Sequence, residues 1–318
     1  MEGGHGVALF FMISGFILSL PFARKHLNKG AEVKAVNLKQ YYIRRLIRLE
    51  PPYIIALILF FVGYVWVLEE YQFSELLPHF FASLFYSHML VYDQFPWVLP
   101  VAWSLEIEIQ FYLLAPLLSM VYLIRQKYLR WVLLLTVIVL SGIYNYYSVP
   151  PSLLKFICFF AFGMLLTDFY CNQVRFLSSA SLCTWIGRFL FVVIWFVPSI
   201  SNFYGYVTKM CMMACLFYIV LTNSTIKEIF SNRYLTLIGG MCYSIYLLHF
   251  AILSCLGRLI QNWSLATANT YFIPAYYIFF TASVLVISGL YFIMVEKPFM
   301  RWKIRRNNMT QLPWKKVL

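Results

Sequence analysis

Charged side chains are scarce in this sequence, so those that interrupt its apolar runs are the first candidates for chemistry. Glu106 and Glu108 lie in the string from Trp103 to Pro116, among isoleucines, leucines and aromatics. A carboxylate inside an apolar segment is costly, and it marks either function or a buried partner. At helical spacing Ser104, Glu108, Tyr112 and Ala115 share one face, and Glu106 points largely away from Glu108. The alternative to a functional carboxylate is a structural ion pair with an arginine elsewhere. The string from Gly239 to His249 places Tyr246 and His249 three residues apart on one helix face. Most core histidines are hydrogen-bonded bystanders, but a histidine beside a tyrosine within a membrane also suits a polar cavity. Glutamate and imidazole both accept protons, so these two strings are the candidates for acid–base work.

A third string, from Tyr41 to Tyr53, holds Arg44, Arg45 and Arg48. With residues 39–49 helical, Arg48 stands one turn from each of the other two arginines. Three fork-shaped guanidinium groups suit a phosphorylated ligand. Anchoring of the loop to lipid headgroups uses the same charge, and charge alone does not separate the two. Ser14 and Gly15, in the run Gly6 to Leu18, let a neighbouring backbone approach closely, which is mainly a packing role. In Val295-Glu296-Lys297-Pro298-Phe299 the proline is expected to break a last span, and Glu296 to make a structural pair.

The elements that must position these residues are membrane helices. Hydrophobic residues fill 62% of 318 positions and charged residues 12%, where a soluble domain carries about 25% charged. A net charge of +13 raises nucleic acid as a partner. However, the basic residues sit in short gaps between apolar runs, as in loops facing an anionic leaflet. Nucleic-acid binding is therefore set aside. Windows of about 20 apolar residues span a bilayer. Nine occur, near 7–23, 51–68, 101–124, 130–147, 152–170, 183–198, 206–222, 236–257 and 272–295. The stretch 76–92, with His79 and His88, reads as re-entrant or interfacial. The expected fold is all-α, a polytopic transmembrane helical bundle in a single domain over 1–318. The seven cysteines form no CxxC pair and read as small hydrophobes, with no metal site among them.

Alternate gaps differ sharply in charge. Residues 24–48 hold Arg24, Lys25, Lys29, Lys34, Lys39, Arg44, Arg45 and Arg48, whereas 69–100 hold no basic residue. One side also collects Arg125, Lys127, Arg130, Arg175, Lys227, Arg233 and the tail from Lys297 onward. The other side collects only Lys155, Lys209 and Arg258. The basic side is expected to be cytoplasmic, with the C-terminus there and the N-terminus outside. Asp168 and Arg188 are expected to reach the interface from span ends.

Five strings in order carry a resemblance: GV-LFF-ISGF from Gly6, Y-RR--R--P-Y from Tyr42, WSL--E--FYLL-P from Trp103, S-YLLH from Ser244 and EKP from Glu296. Together they resemble the membrane-bound acyltransferase-3 family, which includes O-acetyltransferases of bacterial polysaccharides, over essentially the whole chain. The resemblance implies a bacterial plasma-membrane bundle that passes an acyl group, most often acetyl, from cytoplasmic acyl-CoA to a hydroxyl of a cell-surface glycan or similar acceptor. No bound cofactor is implied, and the partners are acyl-CoA, the acceptor and membrane lipids. Arg44, Arg45 and Arg48 would contact the acyl-CoA phosphates. Trp103, Glu108, Tyr243, Tyr246 and His249 would line the central cavity, with Glu108 and His249 as the catalytic candidates and Glu106 as a further possible base. Glu106 itself falls where the family usually has a small or apolar residue.

One departure matters. The family's first helix carries a basic residue and a histidine regarded as the catalytic base, and nothing here matches them. The charge count and the nine windows both suggest that a helix belongs before this sequence, so impaired activity is expected. The rival reading is a transporter or flippase for a glycan or lipid intermediate, since glutamate and histidine within a membrane also suit proton coupling. A non-catalytic remnant that associates with a partner membrane protein is a third.

Overall fold

The computed structural model describes residues 4–27, 36–147, 152–174, 179–194, 196, 203–264 and 273–300. Lys29, Lys34, Arg175 and the tail from Arg301 onward lie outside the described residues. All regular structure among the described residues is helical. That is the expected all-α class, because a chain in lipid must satisfy its own backbone groups locally.

The helices are α1 Gly4–Leu27, α2 Leu38–Val62, α3 Phe73–Leu84, α4 His88–Tyr92, α5 Trp103–Leu118, α6 Lys127–Tyr147 and α7 Leu153–Cys171. They continue as α8 Ala180–Val193, α9 Phe203–Thr222, α10 Ser224–Phe230, α11 Arg233–Gly240, α12 Cys242–Ser264 and α13 Ile273–Tyr291. Among the described residues, six segments are long and apolar enough to cross a membrane, or up to eight if each of two bent pairs is one span. The protein is multi-pass.

Within the described residues each of the nine windows falls on helix, but three depart from a simple span. α8 has 14 residues, short of the roughly 20 that a bilayer needs. α9 and α10 bend by 101° where the Asn223 side chain accepts the Ile226 N–H and starts a new helix. α11 and α12 bend by 68° after Gly239 and Gly240. A hydropathy window does not register such breaks. The stretch 76–92 forms α3 and α4, of 12 and 5 residues, both too short to cross.

Pro298 does not break the last span. A π turn, Phe292–Glu296, follows α13, and the helical segment runs to Met300. The Lys297 N–H bonds back to the Phe292 carbonyl, so the ladder is already shifted by one residue before the proline arrives.

The chain divides into two compact units. One comprises residues 1–41, 92–94 and 103–232. In it α1 packs closely on α7 because Gly15 and Gly163 face the opposing backbones. A Cβ on Gly15 would collide with the Phe160 carbonyl, and one on Gly163 with that of Met12. Phe160 stacks between Phe11 and Phe111, with ring centroids 4.7 and 3.9 Å away. Ser19 donates to Thr167 at 2.9 Å.

The same unit corrects the reading of Asp168. That residue has no exposed surface and does not reach the interface. Arg130, only 2% exposed, bonds it through Nε at 2.5 Å and Nη2 at 3.2 Å. Trp131 Nε1 and Asn172 Nδ2 each donate to it at 2.8 Å. Arg130 is therefore part of the α6–α7 core rather than a loop charge. Arg188 is exposed, with its guanidinium 5.6 Å from the Trp185 ring.

The other unit comprises residues 42–91, 95–102 and 233–318. Tyrosine hydroxyls tie its helices to backbone carbonyls: Tyr53 to Ser83 at 2.8 Å, Tyr243 to Leu49 at 3.0 Å and Tyr291 to Pro52 at 2.5 Å.

Candidate functional site

Each unit holds one of the predicted clusters. In the first, α5 turns Ser104, Glu106, Glu108, Tyr112 and Ala115 inward, all of them buried. Glu108 Oε1 accepts from Ser14 of α1 at 2.8 Å and from Tyr112 one turn along its own helix. Ser14 thus does more than let a backbone approach: it is a direct partner of the candidate carboxylate. Glu106, expected to point away from Glu108, is equally buried at 2% exposure. Trp103 is half-buried against Phe156, with centroids 5.4 Å apart. Lys209 of α9, counted as a loop charge in the sequence, is 6% exposed within the same unit. Its only sequence signal was a lone cation inside a long apolar run.

In the second unit α2 is continuous through Pro51 and Pro52, so the arginine turn and the span after it form one helix. Arg44 and Arg45 are half-buried and Arg48 is exposed. Tyr243 reaches this helix through the Leu49 carbonyl, next to Arg48. Tyr246, one turn on, donates to the Val101 carbonyl. His249 Nδ1 lies 2.7 Å from the Tyr246 carbonyl and 3.2 Å from that of Ile245. A carbonyl only accepts, so Nδ1 is the donor in these contacts. Ser244, on the same helix, donates to Glu296 at 2.6 Å, and both are fully buried. The predicted Arg44, Arg45, Arg48, Tyr243, Tyr246 and His249 therefore share one unit, while Trp103 and Glu108 belong to the other.

Outside these clusters, His79 Nδ1 and His88 Nε2 lie 2.8 Å apart. The His79 ring stacks on Trp97 at 4.0 Å between centroids, and Trp97 stacks on Tyr71 at 5.8 Å. Burial pushes the His79 imidazole below its ordinary pKa, and the nearby Glu75 charge works against that shift.

Residues 3–292 match the family described as the acyltransferase domain. The chain belongs to this family. Among curated relatives, a protein of Staphylococcus aureus strain COL that bears the name of an O-acetyltransferase is 25% identical over 355 residues, covering 99% of this chain and 55% of the relative. A like-named protein of strain N315 matches to the same extent. Peptidoglycan O-acetyltransferase OatA of Listeria monocytogenes serovar 1/2a is 28% identical over 156 residues, covering 45% of this chain and 24% of OatA. The chain spans about half the length of the Staphylococcus relatives it matches. No solved structure matches it.

In this acyltransferase-family chain, Nε2 is the ring nitrogen of His249 that those two carbonyls leave, and a ring nitrogen in that position is where an imidazole would act as a general base. Glu108 instead accepts from two hydroxyls, those of Ser14 and Tyr112. The arginine turn offers donors in the fork geometry that phosphate oxygens accept.

Proposed function

We propose that the protein is an integral membrane O-acyltransferase that moves an acyl group, acetyl by preference, from acyl-CoA to a hydroxyl of a cell-surface glycan or similar acceptor. The observation that carries this reading is the family match over residues 3–292. The names of the Staphylococcus and Listeria relatives support acetyl transfer in particular. Arg44, Arg45 and Arg48 would bond the phosphates of the donor on the cytoplasmic side of a bacterial plasma membrane, and the excess of Lys and Arg in alternate gaps supports a cytoplasmic C-terminus as well.

Transfer requires a base for the acceptor hydroxyl as it attacks the thioester carbonyl, and donors for the charge that grows on the carbonyl oxygen. The hydroxyl loses its proton to the base, the new ester bond forms, and the CoA thiolate leaves and takes up a proton. His249 and Glu108 are the candidate bases. Separate His249→Gln and Glu108→Gln variants distinguish them, because loss of the base lowers turnover about 10²–10⁴-fold.

The deciding experiment replaces Arg44, Arg45 and Arg48 together by Gln in the purified chain and measures acetyl-CoA binding. A loss of about 100-fold or more is expected, given the strength of charge-assisted phosphate contacts. Unchanged binding would sink the donor-site assignment. Transport of a glycan or lipid intermediate without thioester cleavage would favour the flippase reading instead.

A further inference from the structure

We infer that Ser14 is a positioning residue for Glu108, its hydroxyl reaching across from α1 to hold in place the carboxylate that would take the acceptor proton. This rests on the reading of Glu108 as a candidate base in the proposed reaction and deepens it.

Ser14 Oγ donates to Glu108 Oε1 at 2.8 Å, and the Tyr112 hydroxyl donates to the same oxygen. Ser14, Glu108 and Tyr112 are all buried, at 8%, 2% and 8% exposure. A hydroxyl has one proton to give. Inside a helix, serine and threonine commonly give it to the carbonyl four residues back. Thr167 does so to Gly163, and Thr222 to Tyr218. Ser14 gives its proton to Glu108. The two donors reach Oε1 from different elements, Tyr112 from one turn along α5 and Ser14 from α1. A donor on the same helix moves with that helix, so the bond from α1 is the one that fixes the oxygen against a second element.

The packing around this bond does not depend on it. Phe11 stands three residues before Ser14 on α1, and Phe111 three residues after Glu108 on α5. Both rings stack on Phe160 of α7, with centroids 4.7 and 3.9 Å away, and none of the three has exposed surface. Residues three apart share a helix face, so this one ring sets the rotation of both helices. Gly15 and Gly163 set how closely α1 meets α7, since a Cβ on either would strike the opposing backbone. Apolar contacts thus bring Ser14 and Glu108 together, and the hydrogen bond adds the direction of the carboxylate. A base must lie within reach of the proton it removes, and a misplacement of about 1 Å can cost about 100-fold in rate.

The test measures release of coenzyme A from acetyl-CoA by the purified full chain, with a soluble peptidoglycan digest as acceptor. Wild type is compared with Ser14→Ala, Ser14→Thr, Glu108→Gln and the Ser14→Ala/Glu108→Gln double variant. Expected for Ser14→Ala is a kcat about tenfold lower, with KM for acetyl-CoA within about twofold. Ser14→Thr keeps a hydroxyl and should recover kcat to within about threefold. The double variant should be no slower than Glu108→Gln, because Ser14 acts only through that carboxylate. A merely structural serine would shift thermal unfolding and leave the kcat of the folded protein unchanged. Three results each overturn the inference while leaving the role of Glu108 intact. They are wild-type kcat in Ser14→Ala, a double variant slower than Glu108→Gln by the full loss of Ser14→Ala, and a Ser14→Thr variant that unfolds with the wild type yet stays as slow as Ser14→Ala. Wild-type kcat in Glu108→Gln takes Glu108 out of the reaction, and the inference falls while the acyltransferase reading stands on His249. No release of coenzyme A by the wild type removes that reading itself. If Ser14→Ala does not accumulate, Ser14→Cys takes its place, since a thiol is only a weak donor. A kcat about fivefold lower is then expected, and an unchanged one overturns the inference.

Discussion

Asp168 and Glu296 are both carboxylates with no exposed surface, one in each unit, and they are bonded in opposite ways. Asp168 receives Arg130, Trp131 and Asn172, and both of its oxygens are occupied. Glu296 receives one serine hydroxyl on one oxygen, and the other oxygen has no hydrogen bond. A saturated buried ion pair is a clamp: its capacity for bonding is used up, and removing one partner strands the other charge. A half-satisfied carboxylate has bonding capacity left. The difference distinguishes two buried acids that composition alone makes look alike.

The largest expected effect tests the clamp. Arg130→Met should destabilise the protein by about 3–5 kcal/mol, because Asp168 is left charged and unpaired in an apolar core. Thermal unfolding in detergent and the amount of protein in membranes both read this. A cost below about 1 kcal/mol, typical of exposed pairs, would break the contrast.

Next comes the same kind of measurement on the other acid. Glu296→Gln keeps the acceptor for Ser244, so its cost in unfolding should be about 1 kcal/mol or less. A loss as large as that of Arg130→Met would make Glu296 a second clamp and erase the distinction.

The smallest effect belongs to His79 and His88, whose 2.8 Å contact needs one nitrogen to donate and the other to accept. His79 has a folded pKa below its ordinary 6.5. Between the two values the unfolded chain binds more protons than the folded one, so stability falls as pH drops below 6.5 and levels off beneath the folded pKa. A His79→Gln variant should flatten that fall by about 1 kcal/mol or less in unfolding scans between pH 7 and 5. An unaltered profile would show that this pair contributes nothing to the pH dependence, and that only saturated charge pairs govern stability here.

Much of this molecule was legible in one dimension. Where the structure describes them, the nine apolar windows are helical, because a backbone in lipid has few other ways to bond its own N–H and C=O groups. The inward face of α5 followed from spacing alone, since residues three and four apart on a helix must share a side. Ser14, Asp168 and Pro298 were misread for a common reason. Their behaviour depends on groups distant in sequence or on a local shift in the helical ladder. Ser14 meets Glu108 across 94 residues and Arg130 meets Asp168 across 38, and hydropathy carries no record of either pairing.

By itself, then, the sequence determined the class of fold, the shared face of Ser104, Glu108, Tyr112 and Ala115, and the family. Those depend on local hydrophobicity, helical period and motif order. Tertiary structure decided which buried acids are saturated and which keep bonding capacity, because a carboxylate's partners come from whichever helices pack against it.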